Sequence, residues 1–189
     1  MRVFLLLLTL AFSWSARADD GLLDALSRQA AATTLMEGRF TQEKHLTILP
    51  KPVVSSGHFS FDHKRGIVWE TLKPIVSKFS VGPDGINGGQ LPNSAAARSK
   101  QIETLFLSLV TGDFRQLEQL FSVTAEGNIQ SWQLLLKPQN NNVQAYIKAI
   151  HVAGGENSEN ITIEEQNGDS TRITLDLDRI ERQPSAKSQ

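Results

Sequence analysis

The sequence predicts an α+β fold: one long antiparallel sheet with a few helices grouped on one side. Three observations predict it. About ten stretches carry the alternation or short apolar runs of β-strands. The connections between them are short and rich in Gly, Pro, Asn and Asp, so neighbouring strands should run antiparallel. Helical periodicity occurs only in front of the first strand and midway along the chain. A sheet of that width does not stay flat, so it is expected to curl around its helices.

The chain of 189 residues opens MRVFLLLLTLAFSWSARA. Arg2 is a positive start, Val3 to Trp14 an apolar run broken only by Thr9 and Ser13, and Ala16-Arg17-Ala18 a small-residue cleavage signal. That order predicts a secretory signal peptide over residues 1–18, too short to span a bilayer comfortably. The mature chain is expected to begin near Asp19, to form one domain over 19–182, and to end in a polar tail over 183–189.

Residues 20–34 predict a helix with Leu22, Leu26, Gln29, Ala30 and Thr33 on one stripe, Leu23 beside it, and Asp19 and Asp20 favouring the positive end of the dipole. From Met36 to Leu49 the period becomes two, with Phe40, Gln42, Lys44, Leu46 and Ile48 on one face. Pro50 and Pro52 break the ladder. Strands follow over Val53–Asp62, Gly66–Leu72 and Ile75–Val81, then a Pro83-Asp84-Gly85 turn and a short strand over Gly85–Gln90. Ser94 to Val110 is helical, with Ile102, Leu105, Phe106 and Leu109 on its apolar side. Asp113 can cap a further helix carrying Phe114, Leu117, Leu120 and Phe121. Strand signals return at Phe121–Glu126, Gln130–Lys137, Gln144–Ala153, Asn160–Gln166 and Thr171–Asp178. Gly127-Asn128, Asn140-Asn141-Asn142, Gly154-Gly155 and Asn167-Gly168-Asp169 are turns between them.

Composition excludes several kinds of chemistry. Cysteine is absent, so there is no disulfide, no thiol nucleophile, no cysteine metal site and no residue to carry a lipoprotein's lipid. With its leader removed, such a chain is expected to be released soluble into the periplasm of a Gram-negative cell. Net charge is −1 with basic residues scattered, which argues against a nucleic-acid partner.

The candidate bases or ligands are His45, His58, His63 and His151. His58 and His63 fall on opposite faces of a regular strand, and Asp62-His63 sits at an expected hairpin turn. Asp176 and Asp178 share a face with Thr174, opposite Ile173, Leu175 and Leu177, and read as a solvated edge of the last strand. No HExxH, GxSxG, glycine-rich phosphate loop or acidic metal loop occurs. No enzyme, cofactor or metal is expected.

What remains is the apolar stripe of GHFSFDHKRGIVWETLKP, Gly57 to Pro74. Phe59 and Phe61 share one strand face; Ile67, Trp69 and Thr71 share one face of the next. A packed core accounts for most such stripes. Yet a curled sheet covered by few helices can leave part of its inner face without side-chain partners, and an apolar hollow suits an apolar ligand.

These segments resemble the LolA-type outer-membrane lipoprotein carrier family, in its divergent LolA-like branch. The resemblance rests on FTQEK at Phe40–Lys44 and SGHFSFDHKRGIVWETLKP at Ser56–Pro74, in that order behind a helix and a signal peptide. It is detailed over residues 20–82 and topological beyond. It implies an incomplete β-barrel of about eleven strands with a lid of about three helices, binding acyl chains of lipoproteins and ferrying them across the periplasm without catalysis. Phe40, Phe59, Phe61, Trp69, Phe79 and Trp132, with Ile102 and Phe106 from the midway helix, then look like lipid-binding lining. In the family's carriers an arginine followed by proline in the turn after this strand ties the lid shut. Aligned from Gly57, that position falls on His63, with Lys64 in place of the proline and Arg65 beside it. A phenylalanine that engages the inner-membrane transporter falls on Ile67. His63, Lys64, Arg65 and Ile67 are therefore the implied lid and partner contacts. The implied partners are a lipid acyl chain, an inner-membrane donor and an outer-membrane acceptor, met by a monomer that does not span the membrane. A lipid-sensing or regulatory scaffold on the same fold is the alternative.

Overall fold

The computed structural model describes residues 20–82, 85–88, 108–109, 111–155 and 158–183. Helix α1 covers Asp20–Ala32, ending two residues before the expected helix over 20–34. It stops because the β-branched Thr33 starts the first strand, and the Thr33 hydroxyl donates back to the Gln29 carbonyl at 3.0 Å, satisfying a helix-end acceptor. Strand β1 then runs Thr33–His45, β2 Val53–Asp62, β3 Gly66–Lys73, β4 Ser77–Gly82 and β5 Gly85–Gly88. After helix α2 at Phe114–Leu117 come β6 Phe121–Asn128 and β7 Ser131–Pro138, helix α3 at Asn141–Gln144, then β8 Ile147–Gly155, β9 Ser158–Glu165 and β10 Ser170–Arg182.

All neighbours pair antiparallel in one open sheet ordered β5-β4-β3-β2-β1-β10-β9-β8-β7-β6. The described residues thus hold ten strands, where the family resemblance implied about eleven. Two meanders, β1–β5 and β6–β10, meet where the first strand pairs with the last, from Thr33 opposite Arg182 to His45 opposite Ser170. That pairing draws β10 out to Arg182, past the expected end at Asp178, because β1 offers it a partner that far.

Other departures have local causes. Ile75 and Val76 stand exposed outside β4, since Pro74 has no N–H to give a ladder there. Asn140-Asn141-Asn142 starts α3 instead of a plain turn: the Asn140 side chain accepts from the Asn142 N–H at 2.8 Å and caps the helix. Asp113 precedes α2 but makes no capping hydrogen bond with its side chain. Most of the expected helix over Ser94–Val110, and the Pro83-Asp84 corner, lie outside the described residues.

One sheet face carries the apolar groups. Phe40 faces Gly57 on one side and Leu175 on the other; Phe59 faces Gly38 and Trp69; Phe79 faces Trp69. In the other half, Ile161, Val152 and Leu134 continue the same face. Leu22, Leu23 and Leu26 of α1 are buried, and the helix touches both β1 and the far strand β6. The opposite face is polar, with His58, Arg39, Asp176 and Asp178 exposed as the strand parity predicts.

Two large rings on this face lie beside glycines. A Cβ at Gly38 would come within 3.0 Å of the Phe59 ring, and one at Gly154 within 2.3 Å of the Trp132 ring. At Gly57 it would meet the Glu70 carbonyl oxygen at 1.9 Å, a backbone atom that cannot move without opening the β2–β3 ladder. Gly57→Ala should therefore cost about 1–3 kcal/mol in urea unfolding. His58→Ala, on the exposed face next door, should stay within about 0.5 kcal/mol. Equal effects of the two would show that the close approach does not constrain the sheet.

Candidate functional site

Four rings gather on the apolar face of β1–β4. Trp69 stands at their centre, stacked on Phe40 with centroids 3.9 Å apart and planes 28° apart. Phe59 and Phe79 flank it at 5.8 Å and 6.4 Å, tilted 26° and 22°. The two flanking separations fall in the range of offset aromatic pairs, Phe40 lies closer, and all four side chains are buried. Strand alternation and register produce the cluster directly, since Phe59, Trp69 and Phe79 are consecutive cross-strand neighbours.

The other candidate lining residues divide. Phe61 lies on the same face, half-buried, between Met36 and Ile67. Trp132 shares the face in the far half of the sheet and packs edge-on against Phe114 of α2, 5.4 Å away at 65°. Ile102 and Phe106 lie outside the described residues. Helix α2 is held to α1 by Arg115, whose Nε donates to Asp24 at 3.0 Å and whose Nη1 donates to Glu118 at 2.9 Å.

His63, Lys64 and Arg65 form the exposed β2–β3 turn. Asp62 organises it by accepting from the Lys64 N–H at 2.9 Å and the Arg65 N–H at 3.1 Å, and from the Arg65 guanidinium. The backbone donation from Lys64 leads the effects that hold the Asp62 carboxyl below its usual range. Ile67 departs from the partner-contact expectation. It is fully buried, opposite Phe61 and Val81, and offers no surface to a partner.

One polar group on the apolar face was missed. Glu159 has the strand parity of Ile161 and Ile163 and pairs with Leu175 and Gly154, so its carboxyl points among apolar neighbours. Its Oε2 is shielded from water and has no hydrogen-bond partner. The signal was in the alternation of SENITI, where a glutamate occupies an inward position. Elsewhere on this face Lys44 and Glu165, both half-buried, pair at 3.2 Å. A depression of about 280 Å³ on the opposite face is lined by Thr124, Glu126, Gln133, His151 and Asn160 together with the apolar Leu134, Leu135, Val152 and Ala153. Among the described residues no group of three or more His, Asp or Glu side chains could hold a metal ion, and no helix is long and apolar enough to cross a membrane.

A family model for the LolA-like outer membrane lipoprotein carrier protein matches residues 13–177. The chain belongs to this family. No curated protein matches the LolA-like chain in sequence. Among solved structures, a LolA superfamily protein from Nitrosomonas europaea is similar at 9% identity and a TM-score of 0.38, over 90% of this chain and 96% of that one. A DUF1329 family protein from Desulfovibrio piger is similar at 9% identity and a TM-score of 0.37, over 87% of this chain and 92% of that one. The family assignment rests on the sequence match alone.

Glu159 gives this LolA-like sheet a testable pH signature. Burial pushes its carboxyl up to about 7, opposed by the charge of Arg182. A folded value above the unfolded one means that the fold favours the protonated acid. That contribution is complete below the unfolded value near 4.5 and is lost as pH rises through about 7. Stability of the wild type should fall across this window, and Glu159→Gln should remove much of the fall. The gain at pH 8 should be on the order of 1–3 kcal/mol, against little change at pH 4.5. Urea unfolding at both pH values checks it; equal effects at the two would place the carboxyl in water.

Proposed function

We propose that this LolA-like protein is a periplasmic carrier that holds the acyl chains of lipoproteins or other lipids on its apolar sheet face and transports them towards the outer membrane. The observation that carries the proposal is the stack of Phe40, Phe59 and Phe79 on Trp69. The four rings are buried in this structure, so the proposal requires a saturated chain to enter among them, where it meets apolar groups and no polar group to desolvate. Each methylene removed from water is worth about 0.8 kcal/mol, so a chain of about sixteen carbons has on the order of 10 kcal/mol at stake. A carrier must offset most of that and still release its cargo.

Within this proposal the leader through Ala18 is removed and residues 19–182 act as one half-barrel unit with a polar tail, monomeric and free of cofactor, metal and chemistry. Phe61 and Trp132 extend the lining; Ile102 and Phe106 stay candidates on the sequence alone. Contacts to a donor or acceptor at the β2–β3 turn would fall to the exposed His63, Lys64 and Arg65, since Ile67 is enclosed.

Trp69→Ala should weaken binding of a fluorescent fatty acid by about 1–3 kcal/mol. Glu70→Ala, on the outward face where Glu70 meets Lys78 at 3.8 Å, should be nearly silent. Removing a buried ring also costs about 3–5 kcal/mol of stability in its own right, so unfolding is measured on the same variants. Folded Trp69→Ala with full affinity would assign Trp69 to the core alone. A wild type that binds no acyl chain of any length would refute the carrier function.

A further inference from the structure

The exposed apolar side chains among the described residues are unevenly placed. Among the described residues nine large hydrophobic side chains are exposed, and eight of them stand at one end of the sheet; Ile129, in the β6–β7 turn, is at the other. The pairing registers fix that end. Lys44 opposite Val53 puts the β1–β2 connection there, and Thr71 opposite Ser77 puts the β3–β4 connection beside it. The Thr47 N–H donating to Asp169 at 2.8 Å brings in the β9–β10 turn, and the Gln166 N–H donating to the Tyr146 carbonyl at 2.9 Å brings in the approach to β8.

The exposures are large. Ile48 is 85% exposed, Ile75 76%, Val76 72% and Tyr146 70%. Leu49, Val53, Val54 and Leu72, on the same two connections or the strand ends beside them, are exposed as well. Single exposed aliphatics are ordinary; a set on neighbouring connections of one rim marks an interaction surface. The connections are also held in shape. The Leu49 N–H closes a turn on the Leu46 carbonyl at 2.9 Å, Asp169 grips Thr47, and Pro50, Pro52 and Pro74 restrict the backbone. The tips therefore stay presented to water instead of folding back.

Charge selects the occupant. Residues 46–54 and 72–76 contain Lys51 and Lys73, both exposed, and no acidic residue, and Asp169, the carboxylate that reaches this rim, is engaged by the Thr47 N–H and hydroxyl and by the Asn167 amide. Aliphatic tips with lysines between them, on a chain of net charge −1, match an anionic lipid surface: the tips enter the headgroup boundary and the ammonium groups meet lipid phosphates. We propose that the end of the sheet formed by the β1–β2 and β3–β4 connections docks on anionic bilayers. Trp69 lies three residues from Leu72 along β3, about 10 Å, so the aromatic stack begins just inside this rim. This deepens the carrier proposal, and rests on it for cargo, by naming the mouth through which an acyl chain would pass.

The test is flotation of the processed chain with phosphatidylglycerol vesicles and with phosphatidylcholine vesicles. Wild type should float with the anionic vesicles, less so as salt rises, and little with the neutral ones. The double substitution Ile75→Ser with Val76→Ser should weaken binding at least about tenfold, Lys51→Gln with Lys73→Gln should flatten the salt dependence, and Ile129→Ser should change neither. These positions are exposed, so the variants should melt like wild type; if one pair does not, the other decides. Equal flotation of wild type and both rim variants, or none by wild type, overturns the proposal. So does a wild-type dimer that Ile75→Ser with Val76→Ser dissociates, since the rim would then join two copies. Fatty-acid affinity in solution, measured on the same variants, separates the claims: vesicle binding without acyl binding refutes the carrier and leaves the docking rim standing.

Discussion

The pairing of β1 with β10 is the constraint on which the rest depends. It joins strands from the two ends of the described chain, over a register running from Thr33 opposite Arg182 to His45 opposite Ser170. Each flanking meander forms by local hairpins, but this seam must close a long loop before it gains anything. It also makes the apolar surface continuous. Phe40 opposite Leu175 and Gln42 opposite Ile173 place the aromatic stack of one half on the same face as Ile161, Val152 and Leu134 of the other. A slip of one residue at the seam would turn one half's apolar groups outward.

The second requirement is space for flat rings on a pleated surface. Two rings find it over glycine: Phe59 beside Gly38 and Trp132 over Gly154. With no Cβ beneath, a ring settles against the backbone instead of standing off it, and rings on adjacent strands can then stack. The arrangement links the close packing of the sheet to the breadth of the aromatic surface: substitutions that crowd the glycines would tilt the rings as well as strain the ladders.

Much of this could be read from the residues. Strand β2 has the bounds expected, because Pro52 and the DHKRG turn punctuate it on both sides. Parity put Phe59 with Phe61, and Trp69 with Ile67, on one face of their own strands; the resemblance joined them with Phe79, and the register sets Phe59, Trp69 and Phe79 side by side. The seam was not readable, since a single sequence carries no signal for which distant strands meet. Local propensity misread Ile75 and Val76 as strand, where Pro74 and the rim geometry leave them exposed, and misread the Asn140 cap of a helix as a turn. Ile67 was offered as a surface contact by resemblance, though its own parity with Trp69 already marked it as inward. Glu159 shows the reverse: parity placed it inward, while its charge suggested the outside. The strands of the sheet are a matter of pattern; which of their buried groups meet a ligand is a matter of what covers them.

Native mass spectrometry of the protein, purified gently from its own cells, tests the central claim most directly. The account predicts a population heavier than the bare chain by the mass of an acyl-bearing molecule, released intact on mild activation and regained on exposure to lipid. A chain that is always bare, and takes up no lipid when one is supplied, would contradict it.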